Sequence, residues 1–288
     1  MLVLHLLQTL MHPSTLTLIR AAIAEDIGTG DVTSEFFIPA ESRSTAKLVA
    51  REPGVMSGVD IARTVFLEID RGTDVRVLVS DGQLFEKSDT LMEISGSTRS
   101  VLSAERTALN FLQRLCGVAT MTRRYVDAVK PHQVKVLDTR KTTPGWRLLE
   151  KAAVKDGGGT NHRIGLYDQV MVKDNHLVAA GGIDALQAAI DRVKAARPGI
   201  KVQLEADRLE QVEKFLKLRS VDMILLDNMT PATLCKAVTL NAGRLFLEAS
   251  GGITLATIGD VAATGVDAIS VGALTHSARA LDLALDFV

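Results

Sequence analysis

The chain has 288 residues, 47% of them hydrophobic, which is material for one large domain or two modest ones and excludes wholesale disorder. Lys plus Arg total 33 against 34 for Asp plus Glu, a net charge of -1, and only 4% of residues are aromatic. That balance argues against a nucleic-acid-coating surface and against recognition by base stacking, so any ion must be held by locally placed charges.

The opening segment Met1–Met11 is apolar, but it has no basic n-region, is interrupted by His5 and is too short to span a bilayer. It is expected as a helix packing on the body or on a partner subunit. No membrane association is expected, and the cytoplasm is the default compartment. Residues 15–26 have helical periodicity, broken by Gly28-Thr29-Gly30-Asp31. From Ser44 to Ile94 the rhythm is short and strand-like. Strands are expected at Ala46–Arg51, Val75–Val79 and Thr90–Ile94, with a helix at Asp60–Glu68, the pattern of a small α/β sandwich. Ser103–Leu115 reads as a helix whose polar residues Arg106, Asn110 and Gln113 share one face. The two cysteines, Cys116 and Cys235, form no C-x-x-C pattern and are expected as reduced thiols.

The chain then alternates. Short apolar runs stand at Val134–Leu137, Gln169–Val172, Val202–Leu204, Met223–Leu226, Leu245–Leu247 and Ala268–Val271. Helical stretches at Trp146–Lys155, Ala185–Ala196, Leu209–Leu218 and Pro231–Leu240 separate most of them. Parallel neighbours need helical crossovers, so this alternation predicts a parallel sheet, either a barrel or an open doubly wound sheet.

The residues that follow the runs carry the chemistry. They are Asp138-Thr139-Arg140-Lys141, Lys173-Asp174-Asn175-His176, Glu205, Asp227-Asn228, Glu248-Ala249-Ser250-Gly251-Gly252 and Gly272. In an α/β barrel the carboxyl ends of the strands converge on one mouth, where active sites lie. Ser250-Gly251-Gly252 and Val271-Gly272-Ala273, after the last two strands, suit a phosphate held by backbone N–H groups. Gly157-Gly158-Gly159 runs into Asn161-His162-Arg163 and suits a loop that brings His162 and Arg163 to the mouth. With Arg140, Lys141, Arg163 and Lys173 together, the expected ligand carries several negative charges.

The stretches DTRKTTPGWR (138–147), KAAVKDGGGTNHRIGLYDQVMVKDNH (151–176), LEADRLEQV (204–212), ILLDNMTP (224–231) and LEASGGI (247–253) together resemble the quinolinate phosphoribosyltransferase family. EDIGTGDVTS (25–34) and ERTALNFLQRLCGVAT (105–120) resemble its N-terminal signatures, so the likeness covers nearly the whole chain. Trp146 and Cys116 depart from the common pattern at positions without a charge role. The resemblance implies an N-terminal α/β sandwich over 1–114, joined by the tail 275–288, and an incomplete α/β barrel of about seven strands over 115–274. It implies transfer of phosphoribosyl from phosphoribosyl pyrophosphate to quinolinate with decarboxylation, a step of de novo NAD synthesis. Lys141, Lys173, Glu205 and Asp227 would be catalytic. Arg106, Thr139, Arg140, His162, Arg163 and Lys173 would bind quinolinate, with Arg106 reaching the neighbouring subunit's site. Lys141, Glu205, Asp227, Ser250, Gly251, Gly252, Val271, Gly272 and Ala273 would bind phosphoribosyl pyrophosphate. Glu205 and Asp227 would hold Mg²⁺, directly or through water, in a homodimer with shared active sites or in a hexamer. Three other readings compete: a pyrophosphorylase-like protein linked to molybdenum transport, a lyase forming a Schiff base on Lys173, and a lipoyl-type carrier module around residues 81–94. Tyr167-Asp168 and the intact Lys173-Asp174-Asn175-His176 favour the quinolinate enzyme.

Overall fold

The computed structural model describes residues 11–173 and 183–288, with Leu4, Leu7 and Thr9 before them. Leu4, Leu7 and Thr9 are helical, and Leu4 and Leu7 cluster with Leu67; the rest of the expected N-terminal helix lies outside the described residues. The chain divides into two compact units, one of residues 1–123, 142–158 and 277–288, the other of 124–141 and 159–276. The segment 142–158, which the sequence pattern assigns to the barrel, thus falls in the first unit.

The first unit carries the antiparallel sheet β12-β1-β5-β3, from β1 (Arg43–Ala50), β3 (Asp74–Val77), β5 (Thr90–Ser97) and β12 (Leu283–Phe287). Its helices include α1 (Pro13–Ile27), α2 (Val32–Phe37) and α3 (Val59–Ile69). Two-residue strands β2 (Gly54–Val55) and β4 (Leu84–Phe85) pair separately. Period-two alternation buries Ala46, Leu48 and Ala50 of β1 on one face. On that face Leu48 and its β12 neighbour Leu285 line an apolar pocket with Leu109 and Leu112 of α4 (Thr98–Ala128) and Phe66 of α3. α4 runs 31 residues, well beyond the expected Ser103–Leu115. Gly117 sits inside the helix, where a Cβ would lie 1.9 Å from the Arg279 carbonyl oxygen. The EDIGTGDVTS motif is structural: Asp31 caps α2 through the Ser34 N–H at 3.0 Å and accepts from the Ser103 hydroxyl at 2.8 Å. After α4, α5 (Arg147–Asp156) places Glu150, fully buried, where it accepts from Arg114 at 2.7 Å and from the Thr143 N–H and hydroxyl.

One carboxylate of this unit makes stability depend on pH. Asp81 accepts from the Val59 N–H at the start of α3. Although the residue's surface is open to solvent, desolvation of its carboxyl by the protein packed beside it pushes the pKa up to about 6, and the nearby Asp156 and Asp60 carboxylates add to the rise. Between the ordinary 3.8 and about 6 the native carboxyl keeps a proton that the unfolded chain has released. The native state therefore binds more protons in that window, and this group's stability contribution falls as pH rises through it. Urea unfolding of wild type and Asp81→Asn should show the wild type losing ground to the variant across that window. A difference that stays flat contradicts the assignment.

The second unit is a sheet of six parallel strands among the described residues, in the order β6-β11-β10-β9-β8-β7. These are β6 (Lys135–Leu137), β7 (Gln169–Val172), β8 (Lys201–Ala206), β9 (Met223–Asp227), β10 (Phe246–Ser250) and β11 (Ala268–Ser270). All six coincide with the expected apolar runs to within a few residues, in an α/β fold. α6 (Ile183–Ala196), α7 (Leu209–Phe215), α8 (Pro231–Asn241) and α9 (Ile258–Ala262) lie between successive strands from β7 to β11. β6 and β7 are the outer strands, and Thr160 adds a one-residue parallel bridge on Leu137 of β6.

Candidate active site

Register decides which side chains meet. Gln203 and Glu205 of β8 lie opposite Met223 and Leu225 of β9, and Glu248 and Ser250 of β10 lie opposite Leu225 and Asp227. Side chains alternate across a strand, so Glu205, Asp227, Glu248 and Ser250 share one face. Lys173, one residue beyond β7, continues the same parity through Met171, which lies opposite Gln203. That face opens at the carboxyl ends of the strands into a cavity of about 820 Å³. Every sequence-predicted site residue except Arg106 lines it: Thr139, Arg140, Lys141, His162, Arg163, Lys173, Glu205, Asp227, Ser250, Gly251, Gly252, Val271, Gly272 and Ala273. Arg106 is exposed on α4 in the first unit. Asp174, Asn175 and His176 lie outside the described residues.

The cavity is divided by charge. Arg140 and Arg163 stand on one side, and Arg163 is held by its guanidinium to the Gln169 carbonyl at 3.3 Å. Burial, and then the charge of Arg140, pull the Arg163 pKa below its ordinary value, against the opposing pull of Asp168 and Glu248. Two guanidinium groups this close can each grip a carboxylate oxygen pair through a planar fork. Asp168 itself closes the preceding loop by accepting from the Ile164 and Gly165 N–H groups at 2.7 and 2.9 Å. Lys173 Nζ donates to Glu205 at 2.6 Å, an ion pair on the cavity wall. Asp227 accepts from Asn228 at 2.7 Å.

The glycine loops complete the other side. Gly251 has φ +98, and a Cβ there would come within 2.1 Å of Asn228 Oδ1 and 2.8 Å of its backbone N. Only glycine fits where the loop turns against the β9 end. A Cβ on Gly272 would meet Lys141 Cδ at 3.1 Å and His276 Nε2 at 3.0 Å, so Lys141 passes directly over this loop. The Lys141 carbonyl accepts from Thr275 at 2.7 Å, and its N–H donates to Thr139 Oγ1 at 3.0 Å. His276 lines the cavity and carried no signal in the sequence.

His162, expected from the resemblance to bind quinolinate, lines the cavity and also makes contacts within the protein through both ring nitrogens. Nδ1 accepts from the Arg163 N–H at 2.7 Å, and Nε2 lies 3.1 Å from Glu248 Oε2. The His162 N–H is held in turn by the buried Asp138 at 2.8 Å. The sequence also left Gln169, Gln203 and Ser270 unassigned. Polar residues inside apolar strands read as filler until register places them on the cavity face.

Comparison with known proteins agrees with this geometry. Family models described as quinolinate phosphoribosyl transferase, N-terminal domain and C-terminal domain, match residues 31–116 and 118–286. A probable nicotinate-nucleotide pyrophosphorylase [carboxylating] of Bacillus subtilis is 40% identical over 96% of this chain and 94% of its own. The nicotinate-nucleotide pyrophosphorylase [carboxylating] of Mycobacterium leprae is 43% identical over 93% and 95%. The solved structure of the nicotinate-nucleotide pyrophosphorylase from Francisella tularensis superposes with a TM-score of 0.91 at 38% identity, covering 96% of this chain and 98% of that one. The chain belongs to the quinolinate phosphoribosyltransferase family. Among the described residues no helix is long and apolar enough to cross a membrane.

Proposed function

We propose that the cavity transfers phosphoribosyl from phosphoribosyl pyrophosphate to quinolinate, releasing pyrophosphate and CO2 and forming nicotinate mononucleotide in de novo NAD synthesis. The observation that carries this reading is the division of one cavity into a dicationic side, an acidic pair and two glycine loops. Arg140 and Arg163 hold the two carboxylates of quinolinate, with Thr139 and Lys173 beside them. The 250–252 and 271–273 loops hold the 5′-phosphate through backbone N–H groups, and Lys141 meets the pyrophosphate. Glu205 and Asp227 face the ribose. As pyrophosphate leaves, positive charge develops on the sugar, and carboxylates fixed in advance stabilise it. Holding ring nitrogen and ribose together supplies much of the remaining acceleration. Once the nitrogen is alkylated, its positive charge stabilises the carbanion left by departure of the 2-carboxylate as CO2.

The donor set suits Mg²⁺ delivered with the substrate. Glu205 and Asp227 offer hard oxygen ligands, and no cluster of three or more potential metal-ligating side chains stands among the described residues. An ion bound by two carboxylates would take its other ligands from water and phosphate oxygens. It would neutralise charge on the departing pyrophosphate. Purified protein incubated with quinolinate, phosphoribosyl pyrophosphate and Mg²⁺ should form nicotinate mononucleotide. No product beside an active control enzyme contradicts the proposal.

The working unit in this reading is a homodimer in which the partner subunit's Arg106 reaches the quinolinate side. Arg106→Ala and Lys173→Ala should each be nearly inactive. Mixed and re-equilibrated, they should regain up to about a quarter of wild-type activity, because half the dimers are hybrids with one intact site. No recovery on mixing contradicts a shared site.

A further inference from the structure

A closed hydrogen-bond circuit lies beneath the cationic side of the cavity, and its chemistry fixes the direction of each bond. Glu248 is fully buried on β10. Its Oε2 accepts from Gln203 Nε2 at 2.7 Å and stands 3.1 Å from His162 Nε2. Because Gln203 donates to a carboxylate, its Oε1 faces the other way and accepts from Gln169 Nε2 at 2.7 Å. The Gln169 carbonyl then accepts from Arg163 Nη1, and the Arg163 N–H donates to His162 Nδ1. A backbone N–H can only donate, so Nδ1 carries no proton. His162 is therefore the Nε2–H tautomer, and Nε2 donates to Glu248. The circuit joins β7, β8, β10 and the 159–168 loop, and it holds Arg163 at both its backbone and its guanidinium.

We infer that Glu248 is a positioning residue for the reaction proposed above: it fixes the tautomer of His162 and, through His162 and Gln203, the placement of the carboxylate-binding Arg163. Three observations support this. Glu248 Oε1 has no hydrogen-bond partner among the described residues and belongs to the cavity lining, so the side chain serves the site rather than a distant packing contact. Burial pushes the Glu248 pKa up, but the hydrogen bonds from His162 and Gln203 outweigh it and hold the pKa below its ordinary value. A buried anion beside Arg140 and Arg163 also offsets the repulsion between the two guanidinium groups before substrate arrives. This inference rests on the quinolinate reading for its substrate, but the tautomer does not.

The test pairs substrate affinity with histidine NMR, using Glu248→Ala and Glu248→Gln in the full chain. Long-range nitrogen–proton spectra, with His162 assigned by His162→Gln, should show the Nε2–H tautomer in wild type. Glu248→Ala should lose that signature and weaken quinolinate binding about tenfold or more, as expected for breaking a charged buried hydrogen bond. Affinity for phosphoribosyl pyrophosphate should stay within about twofold. Glu248→Gln still accepts from both donors through its carbonyl, so it should keep the signature and restore quinolinate affinity to within about threefold. Equal losses for both substrates, or wild-type quinolinate affinity in Glu248→Ala, overturn the positioning role. So does an Nδ1–H tautomer in wild type, which needs no variant to fold. An Nε2–H wild type that does not bind quinolinate refutes the substrate and leaves the circuit standing.

Discussion

Replacing Glu205 by alanine should lower turnover by about a hundredfold or more, while the Michaelis constants of both substrates change far less. Glu205 faces the cavity from β8 and is anchored by Lys173 at 2.6 Å, so its oxygen is in place before charge develops on the ribose. An interaction strongest at the transition state appears in kcat rather than in KM. The removal also leaves the Lys173 cation without this carboxylate, which disfavours positive charge on the sugar and deepens the loss. Glu205→Gln keeps the shape and an oxygen for Lys173 but not the negative charge, so it should remain close to the alanine variant in turnover. Steady-state kinetics in both substrates check this. A raised KM with unchanged kcat means that Glu205 contributes ground-state binding alone.

Arg140→Ala should raise the KM for quinolinate by about 10- to 100-fold and leave that for phosphoribosyl pyrophosphate nearly unchanged. The range corresponds to one lost charge-assisted hydrogen-bonding partner. The environment explains why the effect is selective. Arg163 lies within reach of the charge of Arg140, and in the proposed reading a dianion relieves that repulsion as it binds. Arg140→Lys should recover only part of the affinity, since an ammonium lacks the planar fork that grips a carboxylate with two parallel bonds. An unchanged apparent affinity for quinolinate in the alanine variant refutes the carboxylate role.

The six parallel strands were legible because each is a short apolar run ended by a charged or glycine residue, and the cavity was legible because those endings converge. Arg140, Lys173, Glu205 and Asp227 declare themselves in this way. Gln203 and Gln169 do not, since one buried glutamine in an apolar run looks like tolerated filler. The available signal was parity: Gln203 stands two residues before Glu205 and so shares its face. Asp138 and Glu248 were visible as strand-end carboxylates. Their work as buried partners of His162 depends on a loop from elsewhere in the chain, which no local pattern encodes. The same limit hides the contacts that His162 makes with residues 163 and 248. The pairing of β12 with β1 joins residues more than 230 positions apart, and local alternation is silent about such partners.

When one cavity couples glycosyl transfer to decarboxylation of a doubly anionic ring, the products of both steps appear together. Quinolinate labelled in its 2-carboxylate, incubated with phosphoribosyl pyrophosphate and Mg²⁺, tests it most directly. Labelled CO2 and pyrophosphate should form in equal amounts, and neither should form when one substrate is omitted. Pyrophosphate released without CO2, or CO2 formed without phosphoribosyl pyrophosphate, would contradict it.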